Sequence, residues 1–176
     1  MSMIVDLKEE GDDDLLVQLP PTNFSAVENN YIYRSGIHHP SNFTFLQPLS
    51  LRSIIYLCTE PYPEENIELL RSNNIKLYPF GMDGTRMHQL CQRTSEIIMD
   101  GLRVITDERN HLILVHCKRG KHQTDCVVEC LRKLQNWCLD VVVEEEFKHF
   151  AGAKWRETDL KILDVQILFE YFKYLL

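Results

Sequence analysis

The chain has 176 residues, of which 44% are hydrophobic and 26% charged, and its formal net charge is −7. These values are typical of a globular protein with a sizeable core, and the negative charge argues against a general affinity for nucleic acid. The sequence has no apolar run near ~18 residues, so we expect no membrane span. Six cysteines lie scattered without metal-ligand spacing, which predicts no metal, no cofactor and a reducing cytoplasmic or nuclear compartment.

The N-terminal residues are acidic and lack sustained hydrophobic periodicity. We therefore predict a mobile tail over residues 1–19, which ends where Pro20 and Pro21 begin a single domain over residues 20–176.

Short apolar strands alternate with amphipathic helices along this domain. The predicted strands are Ser25–Val27, Tyr31–Arg34, Arg52–Cys58, Ile75–Phe80 and Leu112–Val115. The predicted helices are Asn42–Leu49, Glu64–Ser72, Thr94–Thr106, one from Thr124 onward, Val141–Phe150 and Leu160–Tyr174. This alternation predicts an α/β sandwich in which helices flank a central, mostly parallel sheet.

The last predicted strand runs into a short basic loop that opens with His116 and Cys117 and contains Gly120. A strand, a tight loop and a helix N-terminus together form an anion site, because backbone N–H groups and the helix dipole attract negative charge. The same groups stabilise the thiolate form of a cysteine at the mouth of the loop. The pattern therefore predicts that Cys117 is a nucleophile aimed at phosphate, with a buried structural thiol as the alternative.

The stretch from His116 to Thr124 resembles the cysteine-phosphatase signature His-Cys-x5-Arg-Ser/Thr. Together with other strings in the right order, it resembles the plant and fungal atypical dual-specificity phosphatases. These strings are Asn23-Phe24, Ile32–Ser35, Asn42–Leu46, Leu51–Leu57, Glu60–Pro63 and Cys130–Gln135. The resemblance implies a dual-specificity-phosphatase-like sandwich and the hydrolysis of inositol pyrophosphates through a phosphocysteine intermediate.

The resemblance also implies roles for the residues of the loop. Cys117 would be the nucleophile, and His116 would orient the loop backbone and support the thiolate. Thr124 would hydrogen-bond the cysteine sulfur, act as the helix N-cap, or do both. The polyanionic substrate would be bound by Lys118, Arg119, Gly120, Lys121 and His122, for which a solvated basic loop is the alternative.

Two residues depart from the signature. Gln123 stands where the family has arginine, whose charged fork grips phosphoryl oxygens, so we expect weakened catalysis. Asp125 stands where the family usually has glycine, and we expect its carboxylate to compete with bound phosphate. On this view Gln123→Arg restores activity and Asp125→Gly adds to the gain.

The general acid of the family is also missing, because residues 85–93 contain neither proline nor a carboxylate. Asp83 and Glu96 are the nearest candidates. Three further basic residues are candidates for extending the binding surface: Arg34, Lys76 and Arg86.

Two functions are compatible with these features. One is a weakened phosphatase acting on inositol pyrophosphates, and also on phosphotyrosine in a phosphoprotein or on phosphoinositides. The other is a pseudophosphatase that binds phosphorylated ligands or partners without turnover.

Overall fold

The computed structural model describes residues 18–82 and 92–135. One five-stranded sheet has the order β1-β2-β5-β3-β4, in which β1 is antiparallel to β2 and the other neighbours are parallel. The strands are β1 (Ser25–Glu28), β2 (Ile32–Ser35), β3 (Ser53–Tyr56), β4 (Lys76–Pro79) and β5 (Ile113–His116). The predicted mixed α/β fold with a mostly parallel sheet is confirmed.

Strand β5 lies at the centre of the sheet because its side chains are apolar on both faces. Ile113, Leu114 and Val115 are fully buried, as in parallel sheets that are covered on both sides. His116 ends the strand and is in register with Ser35 of β2 and Tyr56 of β3. These three neighbouring strands therefore end at one edge of the sheet, where the loops that follow them meet.

The helices are α1 (Phe43–Leu46), α2 (Glu64–Ser72), α3 (Gln92–Thr106) and α4 (Gln123–Leu134). The bounds of α2 agree with the prediction, since acidic residues occupy its first turn and Arg71 its last, as the helix dipole favours. Helices α3 and α4 pack against each other. Their buried residues, which include Leu102 and Val127, belong to the main core.

The predicted helix over Asn42–Leu49 is wrong as a single element. Only α1 is α-helical, and 3-10 turns flank it at Pro40–Asn42 and Gln47–Leu49. Pro48 has no N–H to continue the helical bonding, and Ser50 follows in the left-handed region with φ 51. The chain must therefore leave the helix before it enters β3.

Several predictions fall outside the described residues. They are most of the tail over residues 1–19, and the helices predicted at Val141–Phe150 and Leu160–Tyr174. The division of the chain into tail and domain stays a prediction. Within residues 18–82 and 92–135, none of the helices has the length and apolar character needed to cross a membrane.

Candidate active site

The loop after β5 is joined to the ends of both neighbouring strands. The backbone N–H of Leu57, just after β3, donates to the His116 carbonyl at 3.0 Å. On the other side, the N–H of Ile37, after β2, donates to the Lys118 carbonyl at 3.2 Å. We call residues 117–122 the catalytic loop, since they carry the candidate nucleophile.

The carbonyls of this loop are bonded one after another. The carbonyl of Cys117 lies 3.4 Å from His116 Nδ1, and that of Lys118 accepts from the N–H of Ile37 at 3.2 Å. The carbonyls of Arg119 and Gly120 accept from the side chains of Asn23 at 2.8 Å and Arg34 at 3.0 Å. The carbonyl of Lys121 accepts from the N–H of Thr124 at 2.9 Å. Because its carbonyls are held by surrounding groups, the loop can direct N–H groups to its centre. That is the arrangement by which backbone loops bind anions.

Gly120 is required by a close approach between two backbone segments. Its φ is +66°, and a Cβ there would lie 2.4 Å from both the nitrogen of Gly36 and the carbonyl carbon of Ser35. Any side chain would therefore push the loop away from β2, and most would also resist the left-handed conformation. The predicted role of Gly120 in substrate binding thus acts through the backbone.

Cys117 is 3% exposed, and its Sγ donates to the Lys121 carbonyl at 3.2 Å. Two ionisable groups lie beside it. Burial raises the pKa of the Cys58 thiol, and the neighbouring Cys117 raises it further. Burial, and then Cys58, raise the pKa of the Tyr56 phenol. Both groups therefore stay protonated at neutral pH and place no negative charge next to the candidate nucleophile.

Gln123 does not occupy the position of a free phosphate ligand. Its Nε2 donates to the Met82 carbonyl at 2.6 Å and, at 3.5 Å, to that of Leu57. Its Oε1 lies 3.9 Å from the Cys58 sulfur. The side-chain amide thus connects the start of α4 to the segments that follow β3 and β4, and it supplies no cation.

Thr124 lies inside the first turn of α4, whose N-cap is His122, so the predicted N-cap role of Thr124 is wrong. Its hydroxyl is buried and has no hydrogen-bond partner among the described residues, so the predicted bond to the Cys117 sulfur is not formed. A buried hydroxyl without a partner costs free energy. It remains able to bond to sulfur or to a phosphoryl oxygen once either approaches.

Asp125 has a partner that the sequence did not indicate. Its carboxylate forms an ion pair with Arg34, which is 2% exposed and also donates to the Gly120 carbonyl. Arg34 is therefore not part of a basic surface, and the carboxylate of Asp125 faces a buried guanidinium. The expectation for Arg34 was wrong because residues 91 positions apart meet only when β2 and α4 pack. The competition between Asp125 and bound phosphate stays a prediction.

The other predicted basic residues are divided between two edges of the sheet. Lys118 and Arg119 are exposed on the catalytic loop, and Lys121 and His122 are half-buried. Lys76 begins β4 at the opposite edge, where its Nζ lies 4.6 Å from the centre of the Tyr78 ring. Arg86 and Asp83 lie outside the described residues, and Glu96 is exposed on α3.

Sequence analysis missed a buried polar group next to His116. The Tyr62 hydroxyl lies 3.2 Å from His116 Nε2 and 3.2 Å from His38 Nε2. The available signal was weak. It consisted of histidine shortly after β2 and tyrosine shortly after β3, both at the edge where the parallel strands end.

The geometry agrees with comparisons to known proteins. A family model described as "Tyrosine phosphatase family" matches residues 18–168. The chain belongs to this family. It is 52% identical over 164 residues to inositol diphosphatase DSP3 of Arabidopsis thaliana, an alignment that covers 93% of this chain and 78% of the relative. It is 52% identical over 153 residues to inositol diphosphatase DSP2 of Oryza sativa subsp. japonica, covering 87% and 74%.

A solved structure within the family has a similar fold. The core catalytic domain of the PP-IP phosphatase SIW14 from S. cerevisiae, in complex with citrate, superimposes with a TM-score of 0.74 at 39% identity. The match covers 83% of this chain and 86% of that domain. The chain is therefore an atypical dual-specificity phosphatase in both sequence and fold.

Proposed function

We propose that the protein is an inositol pyrophosphate phosphatase that works through a phosphocysteine on Cys117. The observation that carries the proposal is the catalytic loop itself, whose five carbonyls from residue 117 to 121 are bonded around a buried cysteine. The family relatives at 52% identity, which are inositol diphosphatases by name, support the substrate class.

The reaction has two steps. The Cys117 thiolate attacks the terminal phosphorus, and the bond from phosphorus to the bridging oxygen breaks. The departing inositol phosphate keeps that electron pair. Water then attacks the phosphocysteine, which releases inorganic phosphate and regenerates the thiolate. The unpartnered hydroxyl of Thr124 is available to bond to the departing sulfur in this second step.

Charge on the loop favours a highly anionic substrate. Lys118 and Arg119 are exposed, so they can meet distant phosphates, while Lys121 and His122 lie deeper. The backbone N–H groups of the catalytic loop are expected to bind the terminal phosphoryl group. The attraction is largely ionic and weakens with salt.

Gln123 sets the expected rate. Loss of an arginine that stabilises phosphoryl transfer costs roughly 10³–10⁵ in turnover. The Gln123 amide already donates to Met82 and Leu57, so it does not compensate for this loss. We therefore propose an enzyme that is slower than one carrying the complete signature.

A pyrophosphate substrate suits a site with a depleted acid loop. Its leaving group is a phosphate, which departs with little help from a proton donor. A phosphotyrosine leaves as a phenolate and benefits from a general acid. We therefore place phosphotyrosine in phosphoproteins, and phosphoinositides, below inositol pyrophosphates as substrates.

The second candidate function is binding without turnover. It is favoured by one observation: the residue at the arginine position is bonded to main-chain carbonyls. In that case the loop would retain phosphorylated ligands, and the protein would act by sequestering them.

We also propose a cytoplasmic or nuclear location. Cys58, Cys117 and Cys130 are free thiols, as a reducing compartment favours. The boundary between a tail at 1–19 and a domain at 20–176 belongs to the same proposal.

The test is the release of inorganic phosphate from a diphosphoinositol phosphate, compared with Cys117→Ser. The proposal predicts release by the natural protein and none by the variant. A melting temperature that rises with inositol hexakisphosphate, without release, would favour the binding function. Neither release nor a melting shift at millimolar ligand would reject both functions.

A further inference from the structure

The segment that precedes β1 contacts the catalytic loop. Residues 21–24 form a turn, in which the Phe24 N–H donates to the Pro21 carbonyl at 3.2 Å. We call residues 21–24 the N-terminal strap. From this strap, Asn23 Nδ2 donates to the Arg119 carbonyl at 2.8 Å, across 96 positions of the chain. The strap therefore connects the segment before the sheet directly to the anion site.

Two contacts hold the strap in place. The Phe24 ring stacks on Tyr33, with centroids 5.6 Å apart, and meets Phe45 edge-on at 4.9 Å. The N–H of Gly36, directly after β2, donates to the Thr22 carbonyl at 2.6 Å. Because the strap is attached both to the core and to the end of β2, its bond to the loop starts from a fixed base.

Gly36 contacts both the strap and the loop, and the space there admits no side chain. A Cβ at this position would lie 2.3 Å from Thr22 Oγ1 and 3.1 Å from the carbonyl carbon of Arg119. Backbone segments approach each other so closely only where a glycine lacks the Cβ. The strap and the catalytic loop are therefore packed against the same residue.

Asparagine suits position 23 for two reasons. Its φ is 53°, in the left-handed region, which asparagine tolerates better than most residues with a side chain. Its amide also supplies an N–H donor, which glycine lacks although glycine adopts the same conformation easily. A glycine substitution therefore separates the hydrogen bond from the backbone requirement.

The bond from Asn23 determines the direction of one peptide group of the loop. In a trans peptide the C=O and the N–H point in opposite directions. With the Arg119 carbonyl turned to Asn23, the N–H of Gly120 points away from the strap. Among the described residues, this N–H donates to no backbone carbonyl. The bond from Asn23 is exposed, so water can replace the donor, but water does not fix the direction of the peptide.

We infer that Asn23 is a positioning residue for the anion site: it turns the Arg119–Gly120 peptide so that the Gly120 N–H is directed at the phosphoryl group. Without this bond the peptide can rotate, and the loop then presents one donor fewer in a fixed direction. The kinetic part of this inference rests on the proposed function, whereas the orientation of the peptide does not.

The kinetic experiment is Asn23→Gly, which keeps the left-handed conformation and removes only the side chain. A misdirected N–H weakens binding of the transition state more than of the ground state. We therefore expect kcat for a diphosphoinositol phosphate to fall roughly tenfold while KM stays within about threefold.

Asn74→Gly is the matched control. Asn74 is also an exposed asparagine in the left-handed region, with φ 55, and it lies between α2 and β4, where β4 begins. This variant should leave kcat unchanged. Equal kcat values for Asn23→Gly and Asn74→Gly would overturn the inference.

The second experiment needs neither ligand nor turnover. ¹⁵N relaxation in the full chain measures the order parameter of the Gly120 amide. We expect about 0.85 in the natural protein and in Asn74→Gly, as for rigid backbone, and about 0.6 in Asn23→Gly. Equal values in all three would overturn the inference. An inactive protein in which only Asn23→Gly loses this order would reject the proposed function and support the positioning role.

Asn23→Asp provides a second variant, with a side chain of the same shape. Its carboxylate cannot donate to the Arg119 carbonyl, so the order parameter of the Gly120 amide should fall as it does in Asn23→Gly. A natural value in Asn23→Asp would show that the donor does not hold the peptide, and the inference would be wrong.

Discussion

The catalytic loop and the residue directly after it differ in how closely they follow the cysteine-phosphatase signature. At its beginning, from Cys117 to Gly120, every carbonyl is bonded, and donors come from segments as distant as Asn23 and Arg34. Directly after the loop, at the first residue of α4, Gln123 stands in place of the signature arginine, and its amide is bonded to the Met82 carbonyl. The shape of the anion site is therefore intact, while its strongest charge is absent.

This difference teaches that support and charge in such a site are separable. The supporting bonds end on the backbone carbonyls of the loop, from backbone N–H groups and from the side chains of Asn23 and Arg34. The arginine of the signature acts chiefly as charge develops in the transition state. A chain can lose the arginine without losing the bonds that support the loop, and each of the two can be tested by itself.

The largest expected effect comes from restoring the cation. Gln123→Arg should raise turnover of a diphosphoinositol phosphate by roughly 10³–10⁵. Arginine has five N–H donors, so it can keep a bond to the Met82 carbonyl and still present a fork to the phosphoryl oxygens. Phosphate release under saturating substrate measures this gain.

Gln123→Lys is the control, because it adds the same charge without the fork. We expect a smaller gain than for arginine. If neither variant exceeds the natural protein while both fold and bind phosphate, the loop geometry has departed from catalysis. The binding function would then be favoured.

The next effect reverses a sequence-based expectation. Asp125→Asn should lower the free energy of unfolding by about 3–5 kcal/mol, because it removes the charge of a carboxylate that pairs with the buried guanidinium of Arg34. The expected benefit to catalysis from removing this carboxylate should not appear. Urea unfolding measures the loss of stability.

Asp100→Asn is the matched control for this loss. Asp100 pairs with Arg103 at 2.6 Å, but both side chains are more than half exposed. Removing such a surface pair should change the unfolding free energy by less than about 1 kcal/mol. Equal effects of the two substitutions would show that the Arg34–Asp125 pair stabilises the fold no more than an exposed ion pair does.

The smallest effect is a pH dependence of stability that comes from the buried imidazole of His38. His38 is neutral when folded because its pKa is lowered to about 4, whereas the unfolded chain takes up a proton near 6.5. The contribution of neutral His38 to the free energy of unfolding is complete above about pH 6.5. It is lost as the pH falls from there through about 4. Its size is about 3 kcal/mol.

His38→Gln isolates this contribution from the carboxylates of the chain. The stability of the natural protein should fall relative to the variant between pH 6.5 and 4, as measured by urea unfolding at each pH. Parallel curves would mean that His38 carries a proton in the folded state.

The sequence predicted most of the fold because its signals are local. The apolar run before His116 predicts a buried strand, and acidic residues before Arg71 predict the ends of α2. The helix predicted at Asn42–Leu49 fails at Pro48, which lacks the N–H that a continued α-helix would need. Element bounds elsewhere differ by one or two residues.

The candidate site was predictable only in part, and for a related reason. Loop residues such as Cys117 and Gly120 are adjacent in sequence, so spacing predicts that they act together. The ion pair between Arg34 and Asp125 and the contact between His38 and Tyr62 depend on how strands are ordered in the sheet. A single sequence does not indicate which distant side chains will meet when that order forms.

The close contact between Gly120 and the end of β2 has a consequence for how the protein folds. Arg34 and the Gly120 carbonyl that it binds are 86 positions apart. Closing so long a segment has an entropic cost that is recovered only when β2 and β5 pair as parallel strands. During synthesis, the anion site therefore cannot form until α4 has left the ribosome. Until then Cys117 has no formed pocket around it, and it is an ordinary exposed thiol open to oxidation.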